Sequence, residues 1–432
     1  MQPIKQPLAG DGRGFSFVGT AWFRVAFWAT WTLIYLAGAR YYSRTKLPIG
    51  DEYVHWEQIR RFLAGDFRIM SDYLTTLPGY HLLVAGVLHS IRWETLSAAR
   101  VLNALIALSA LAGFHALRRQ ALGRDDFLAT ASFAVLPIMF PFAFMIYTDL
   151  LSVAFMLWVA WAVGNSRHWL AGALLLAAIG IRQNNVLWIV LFAVPLCLIA
   201  WRQRGAEFRN ALFALTPYAI AGSAFVAFWI WNGSVSLSAP QVHAHPDFKL
   251  SSGNLFYLLF VAAILFVFLF LYDWREFIVS LRARPWLLLL PLGVVALYWL
   301  TFRPDHPYNQ IFENATKLPG VPQPIFLRNR ILHATQTTPA WSVVFCMLAM
   351  FGMIGFARQR LLWNPAWLFW SICVLFVSLS WLIESRYFLI PYALFLAWRT
   401  PGARWIEWAT FLLWLPLAAL FFWGMRASTV FL

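Results

Sequence analysis

The chain alternates between long apolar runs and short polar stretches, and this alternation predicts its elements. A helix that crosses a bilayer needs about 20 apolar residues, and runs of roughly this kind recur along the whole chain. We predict spans at residues 21–39, 98–117, 127–145, 150–164, 169–181, 186–200, 211–231, 254–272, 286–300, 340–357, 364–383, 387–398 and 406–424. A fourteenth run, 77–91, is short and contains two histidines, so it is a span, a re-entrant segment or an interfacial helix. The pattern predicts an all-α polytopic membrane protein with about 13–14 transmembrane helices.

The charged stretches predict one membrane domain, residues 1–432, and its orientation. Arginine clusters fall in alternate loops, which by the positive-inside rule face the cytoplasm, at 118–124, 167, 202–209, 275–284, 358–360 and 399–404. The two long loops, 40–76 and 301–339, are then both exoplasmic, and we expect the first to be catalytic. A full span at 77–91 would move Arg118 to the other side, so we expect that 77–91 does not cross completely.

Composition excludes two other classes of protein. The chain is 61% hydrophobic and 12% charged, which is far too apolar for a soluble fold of 432 residues. Its net charge of +15 does not indicate a nucleic-acid partner, because the basic residues lie in short clusters between apolar runs.

Ionisable residues at membrane depth are costly, and those outside the arginine clusters gather on the predicted exoplasmic side. They are Asp51, Glu52, His55, Asp149, Arg182, Glu384 and Arg386, with Gln183 beside them. This placement predicts one wet site. Two alternatives stay open: Asp149 as a helix N-cap, and Glu384 with Arg386 as a local ion pair, although a spacing of two within a helix does not favour a direct pair.

A metal site is not predicted. His243, His245 and Asp247 have a spacing that could bind a metal, but no third-ligand pattern accompanies them. We expect these histidines to be solvated or to contact an anionic substrate.

Several short segments, in order along the chain, carry a family resemblance. They are Pro48 to His55 (family "MDE..FH"), Leu74 to Tyr80 ("ITT.PGLY"), Tyr147-Thr148-Asp149 ("YTD"), Arg182 to Trp188 ("RQTN..W"), His306-Pro307-Tyr308 ("HPY") and Leu382 to Tyr392 ("LLE.RYF..PY"). The chain resembles the α-1,2-glucosyltransferases that complete the dolichol-linked N-glycan precursor. Residues 236–243 and 309–327 depart from the family pattern, which leaves the sugar and the acceptor open.

The resemblance implies a GT-C glycosyltransferase that transfers a hexose, expected to be glucose, from a polyprenyl-phosphate donor to a lipid-linked or surface glycan acceptor. Such an enzyme needs a carboxylate to accept the hydroxyl proton and cations to hold the departing phosphate. We expect Asp51 to be the base, Glu52 and His55 to orient it or the acceptor, and Arg182 and Arg386 to hold phosphate. Further substrate-binding candidates are Thr76, Tyr147, Asp149, Gln183, His243, His306, Arg328, Arg330, Glu384 and Tyr387. We expect inversion, no cofactor and no metal.

Other functions and two locations remain open at this point. Within the enzyme class, the runner-up is a protein O-mannosyl- or lipid A aminoarabinose-type transferase. A transporter or flippase of a lipid-linked sugar is the rival class, although the chain shows neither internal repeats nor midplane ionisable groups. Short loops and abundant arginine favour a bacterial plasma membrane; a eukaryotic source would imply the endoplasmic reticulum.

Overall fold

The computed structural model describes residues 21–70, 74–202, 204–237, 249–272, 274–283, 288–310 and 325–432. The α-helices within these ranges are α1 (Ala21–Ser43), α2 (Glu52–Leu63), α3 (Gly79–Ser90), α4 (Leu96–Leu122), α5 (Phe127–Ala134), α6 (Thr148–Gly164), α7 (His168–Ile181), α8 (Trp188–Arg202), α9 (Ala206–Asn232), α10 (Gly253–Leu265), α11 (Val267–Leu271), α12 (Trp274–Ala283), α13 (Leu289–Thr301), α14 (Pro307–Gln310), α15 (Leu327–Thr337), α16 (Pro339–Arg358), α17 (Ala366–Ser378), α18 (Leu389–Trp398) and α19 (Arg404–Arg426). Short 3-10 helices lie at Phe140–Phe144, Gln183–Leu187 and Ser385–Phe388. Two strands, β1 (Ile325–Phe326) and β2 (Val430–Phe431), pair in parallel.

The helices are those of a polytopic membrane protein, which confirms the predicted fold class. In the described part of the chain, five segments are long and apolar enough to cross a bilayer: Leu96–Leu122, Gln183–Arg202, Ala206–Asn232, Pro339–Arg358 and Arg404–Arg426. Shorter apolar helices of 10–17 residues accompany them, among them α6, α7, α10 and α17. Several of the predicted spans are therefore shorter in the structure than the apolar run that suggested them.

The predicted span 127–145 is wrong as a single helix. Helix α5 ends at Ala134, and the chain forms a 3-10 turn at Phe140–Phe144 before α6 begins. Pro137 and Pro141 explain the break, because proline removes a backbone donor and clashes with the preceding helical turn. Non-helical backbone is tolerated at membrane depth where protein surrounds it, and residues 141–150 are all buried. The break lies directly before the Tyr147-Thr148-Asp149 segment.

Helix α3 has 12 residues, so it spans about 18 Å, well short of the roughly 30 Å hydrocarbon core. This length fits the expectation that 77–91 does not cross completely. Helix α3 packs against α2 and α7. A Cβ on Gly79 would overlap the Gly180 carbonyl oxygen, so only glycine allows this close contact with α7.

The core is built around α4, which packs against α1, α6 and α18, while α10 packs against α16. Two arginines from the predicted cytoplasmic clusters belong to this interior. Arg118 is buried, pairs with Asp126 at 3.0 Å and donates to carbonyls at the end of α18. Arg399 is also buried and pairs with Glu407. These two arginines join elements of the bundle, so the predicted orientation depends on the other arginines of the clusters.

After α19 the chain turns back beside the C-terminal end of that helix, where the Thr429 N–H donates to the Gly424 carbonyl oxygen. Strand β2 pairs Val430 with Ile325 and Phe431 with Phe326, next to the start of α15. The ring of Phe431 packs on Gly50, whose φ of +57° lies in the left-handed region. A Cβ at Gly50 would come 2.7 Å from that ring, so glycine is required both for the turn and for the contact. This turn places the next residue, Asp51, at the N-cap of α2.

Candidate functional site

Six ionisable side chains from distant parts of the chain meet at one end of the bundle. Arg386 lies at the centre, with its Nη2 atom 3.1 Å from Asp51 Oδ2 and its Nη1 atom 3.8 Å from Asp149 Oδ2. Glu384 pairs with both Arg386 and Arg328, and Arg182 pairs with Asp149. We call these six residues the Arg386 cluster: Asp51, Asp149, Arg182, Arg328, Glu384 and Arg386. The structure thus brings together Asp51, Arg182 and Arg386, as the sequence predicted.

Breaks between helices place these side chains. Tyr147, Arg182 and Glu384 each have extended backbone and each directly precede a helical segment, with φ and ψ of −140° and 144°, −140° and 116°, and −147° and 136°. In a continuous helix these side chains would lie on the apolar surface of that helix. An extended residue instead directs its side chain, or that of its neighbour, into the space between helix ends.

The local ion pair between Glu384 and Arg386 corrects one expectation. Residues two apart do not meet on a helix, but Glu384 is extended and Arg386 lies in a 3-10 turn, so the two side chains do pair. The alternative that Asp149 caps a helix is wrong. The N-cap of α6 is Tyr147, and Asp149 lies in the first helical turn with its carboxylate paired to Arg182.

A small cleft opens beside the cluster. One part of its lining is charged, with Asp149, Arg182 and Arg386. The rest is largely apolar, and includes Val153, Phe376, Leu389 and Ile390. A cleft of this kind suits a ligand that has both an anionic group and a hydrocarbon chain.

Several buried polar atoms around the cleft make no hydrogen bond within the described residues. They are Asp149 Oδ2, Arg386 Nε, Tyr147 Oη, Ser385 Oγ, Thr76 Oγ1 and Gln183 Oε1. Burying such atoms without a partner costs about 1–3 kcal/mol each. Their concentration here favours a polar ligand that would provide the missing hydrogen bonds.

Two side chains in this region, Glu384 and His55, have pKa values below their ordinary values. Burial raises the pKa of Glu384, but the guanidinium groups of Arg328 and Arg386 outweigh this and lower the pKa to about 2. For His55, burial, then His81, and then Arg386 and Arg182 all lower the pKa well below its ordinary value. Near neutral pH Glu384 is therefore anionic and His55 is uncharged.

Asp51 and Glu52 are neighbours in sequence but have different surroundings. The Asp51 side chain is 55% exposed, makes no capping hydrogen bond to α2 and contacts Arg386. Glu52 is completely buried and accepts four hydrogen bonds, two from Arg100 and one each from the backbone N–H groups of Ile49 and Ile146. Because all its lone pairs are used, the structure does not support direct contact between Glu52 and a substrate.

The other predicted residues divide between the cleft and its surroundings. Tyr387 lines the cleft with its ring 5.1 Å from the Arg182 guanidinium carbon, and Gln183 donates a 2.7 Å hydrogen bond to the Thr75 carbonyl oxygen. His306 is buried, accepts from the Tyr308 N–H and contacts Trp381. Arg330 is exposed on α15, two residues beyond Arg328. His243 lies outside the described residues.

Sequence reasoning missed three residues near the site, Arg100, His81 and Asn254. Arg100 lies inside the predicted span 98–117, and a charged residue there was itself a signal of a buried partner. His81 lies in the short run 77–91, and it contacts Nδ1 of His55 at 2.9 Å. Asn254 was also overlooked; its amide donates to the carbonyls of Ser380 and Leu382, and its oxygen accepts from the Glu384 N–H, which holds the Glu384 backbone in place.

Known proteins from several animals match most of the chain. A mouse protein named Dol-P-Glc:Glc(2)Man(9)GlcNAc(2)-PP-Dol alpha-1,2-glucosyltransferase is 25% identical over 406 residues, or 81% of this chain and 83% of its own length. A human protein of the same name is 25% identical over 405 residues, with the same shares of both chains. A Drosophila melanogaster protein of that name is 24% identical over 402 residues, or 83% of this chain and 86% of its own length. No solved structure matches the chain.

A family model covers most of the described helices. The match extends over residues 45–211 and 196–397, which include every member of the Arg386 cluster. It confirms the resemblance seen in the sequence, and with it the prediction of a membrane glycosyltransferase. Since the matched residues make up well over half of its length, the chain belongs to the DIE2/ALG10 family.

Proposed function

We propose that the chain transfers glucose from a polyprenyl-phosphate donor to a lipid-linked or surface glycan, on the exoplasmic side of its membrane, with inversion and with Asp51 as general base. The observation that carries this proposal is the exposed Asp51 carboxylate in contact with Arg386, which also lines a cleft that is charged at one part and apolar at the other. The names of the relatives in mouse and human support a glucose donor bound to a lipid phosphate.

The cleft fits the two chemical parts of such a donor. Its phosphate would lie among Arg182 and Arg386, whose guanidinium groups can make charge-assisted hydrogen bonds to phosphate oxygens. The polyprenyl chain would follow the apolar side chains of Phe376, Leu389 and Ile390 towards the bilayer. A sugar nucleotide has no apolar part that would use this side of the cleft.

The reaction is a single displacement. The acceptor hydroxyl oxygen forms a bond to the anomeric carbon, the bond from that carbon to the phosphate oxygen breaks, and the hydroxyl proton passes to Asp51. The polyprenyl phosphate leaves with the bonding electron pair. A phosphate monoester has a second pKa of about 6, so it departs near neutral pH with little help from an acid.

Charge balance in the Arg386 cluster suggests how donor binding prepares the base. Three carboxylates face three guanidinium groups, so the ionised cluster is neutral without a ligand. An arriving phosphate competes with Asp51 for Arg386, because both are anions within reach of the same guanidinium. If Arg386 turns towards the phosphate, Asp51 is released to accept the acceptor proton.

The surroundings of the carboxylates support inversion. A retaining mechanism needs a carboxylate nucleophile next to the anomeric carbon in addition to an acid–base group. Glu52 is fully hydrogen-bonded, and Asp149 and Glu384 are almost completely buried in arginine pairs. Asp51 is therefore the carboxylate suited to contact the acceptor, and a base with no nucleophilic partner produces inversion.

The proposal can be tested with the purified chain and synthetic short-chain polyprenyl-phosphate glucose. We expect release of polyprenyl phosphate together with a glucosylated acceptor whose anomeric configuration, read by NMR, is opposite to that of the donor. Polyprenyl-phosphate mannose and UDP-glucose serve as matched alternative donors. Equal use of UDP-glucose, or a retained configuration, would contradict the proposal, and a transporter would move the donor without releasing polyprenyl phosphate.

A further inference from the structure

Two histidines next to the Arg386 cluster form a buried pair. His55 on α2 and His81 on α3 have their Nδ1 and Nε2 atoms 2.9 Å apart, with ring centroids 5.2 Å apart. His81 is completely buried and His55 is 8% exposed. The His55 ring also lies 5.4 Å from that of Tyr147, which in turn packs under the Arg386 guanidinium.

A hydrogen bond between two uncharged imidazoles contains a single proton, and the protein determines which ring supplies it. If His55 donated from Nδ1, His81 would carry its own proton on Nδ1. That atom is buried and has no hydrogen-bond partner among the described residues. A buried N–H without a partner is rare, whereas an unused acceptor is better tolerated. His81 is therefore the donor, through Nε2, and its Nδ1 atom holds a lone pair.

This arrangement determines the chemistry of His55. Its Nδ1 atom accepts from His81, so its proton is on Nε2. Unlike His81 Nδ1, that atom is not a buried orphan; it makes no hydrogen bond within the described residues and keeps contact with solvent. Burial, then His81, and then Arg386 and Arg182 lower the pKa of His55 and keep the ring uncharged. Asp51 and Asp149 pair with these two arginines.

We propose that His81 is a positioning residue that holds His55 as the uncharged Nε2–H tautomer, and that His55 donates this hydrogen bond to a phosphate oxygen of the bound donor. The ligand named here rests on the proposed function. This hydrogen bond would orient the phosphate without adding a net charge to the Arg386 cluster, which is neutral. It strengthens as negative charge develops on the departing phosphate.

A purely structural role, in which the pair holds α2 against α3, is satisfied by either tautomer. The two roles can therefore be separated by variants that change the direction of the bond. His81→Gln keeps an N–H donor near the position of Nε2. The carboxylate in His81→Glu can only accept, so the single ring proton of His55 would be on Nδ1, which donates to that carboxylate, and Nε2 would hold a lone pair. His89→Gln is the matched control, because His89 is an exposed histidine near the end of the same helix.

The tautomer is read by NMR of the full-length protein labelled with ¹⁵N-histidine, with the His55 signals assigned by the His55→Gln variant. We expect a proton on Nε2 and none on Nδ1 in the wild type and in His81→Gln, and the reverse in His81→Glu. Titration with short-chain polyprenyl-phosphate glucose should shift the His55 Nε2 signal. A wild-type proton on Nδ1, or an Nε2 signal unchanged at saturating donor, would overturn the inference.

Turnover measurements complete the test. His55→Leu should lower kcat/KM for the donor about 10- to 100-fold while KM for the acceptor stays unchanged. His81→Gln and His89→Gln should remain close to wild type, and His81→Glu should lose activity as His55→Leu does. Full activity of His81→Glu with the tautomer reversed would also overturn the inference.

If His81→Glu does not fold, the wild-type tautomer and the donor titration still decide. A wild type that binds no polyprenyl-phosphate glucose would refute the proposed function, and the tautomer would still be measured without any substrate.

Discussion

Two adjacent carboxylates, Asp51 and Glu52, belong to polar regions with opposite properties. In the pair of Glu52 and Arg100, which we call the Glu52 network, both carboxylate oxygens and every guanidinium N–H group are hydrogen-bonded. The five guanidinium N–H groups of Arg100 donate to both Glu52 oxygens and to the carbonyls of Tyr42, Thr45 and Leu47. In the Arg386 cluster, Asp149 Oδ2 and Arg386 Nε lack hydrogen bonds, and Asp51 is largely exposed.

This difference separates a structural polar network from one suited to binding. A fully satisfied buried ion pair stabilises the fold only while both partners are present, and it has nothing left to offer a ligand. A cluster with unused groups beside a cleft can exchange its internal contacts for contacts with a substrate. The five predictions below test this contrast, beginning with the largest expected effect.

Glu52→Gln should impair folding. The substitution leaves the Arg100 guanidinium, which is completely buried, without its counter-charge, and breaking a buried pair in this way costs about 3–5 kcal/mol. We expect low yield and a strongly lowered melting temperature in detergent. The exposed pair of Glu57 and Arg60 on α2 provides the control, and Glu57→Gln should leave the melting temperature nearly unchanged. A stable Glu52→Gln protein without turnover would instead indicate a direct catalytic role for Glu52.

Asp51→Asn should abolish turnover without unfolding the protein. Asparagine preserves the shape of the carboxylate but does not accept a proton, and general-base catalysis contributes about 10²–10⁴-fold in rate. Donor affinity should be kept or increased, because Asp51 no longer competes for Arg386. Turnover, melting temperature and donor affinity, each measured on the purified variant, test this prediction. Near wild-type turnover would place the base elsewhere.

Arg386→Ala should weaken donor binding. A hydrogen bond to a charged group contributes about 1.5–3 kcal/mol, which corresponds to a loss of roughly 10- to 100-fold in affinity. Arg330→Ala is the matched control, since Arg330 is an exposed arginine on α15 close to the cluster. Equal donor affinity in the two variants would mean that Arg386 does not contact the phosphate.

Through Glu384, the stability of the protein should depend on pH only below about pH 4.5. Its pKa is about 2 in the folded protein, below the ordinary 4.5, so its contribution is fully present above about pH 4.5 and is lost as pH falls towards 2. The wild type should therefore lose melting temperature over this range more steeply than Glu384→Gln does. Parallel curves for the two proteins would show that the arginine pairs of Glu384 do not stabilise the fold.

A chelator should have the smallest effect of all. Among the described residues no group of three histidine, cysteine, aspartate or glutamate side chains is arranged to hold a metal ion. The Arg386 cluster provides positive charge for the phosphate instead. Turnover in EDTA should equal that in magnesium or manganese, and a loss restored by either metal would contradict the metal-free mechanism.

The sequence predicted the gathering of the polar residues better than their individual roles. Charges are costly in lipid, so Asp149, Arg182 and Arg386 in otherwise apolar stretches indicated one shared polar site. The hydrophobic pattern did not reveal that residues 127–145 do not form one helix, because the residues of a buried turn are as hydrophobic as those of a membrane helix. It also gave no means of distinguishing Arg328, which contacts the cluster, from Arg330, which is exposed two residues later.

By itself the sequence determined that this protein is helical and embedded in a membrane, and that its polar residues gather where the apolar runs are interrupted. These properties follow from local composition and from the cost of burying charge. Only the tertiary structure decided which of two neighbouring carboxylates is free. Glu52 is occupied by Arg100 and by the N–H of Ile146, groups 48 and 94 residues away along the chain. Asp51 instead faces Arg386, 335 residues away. Contacts over such separations depend on how the helices pack, and no local pattern of residues specifies them.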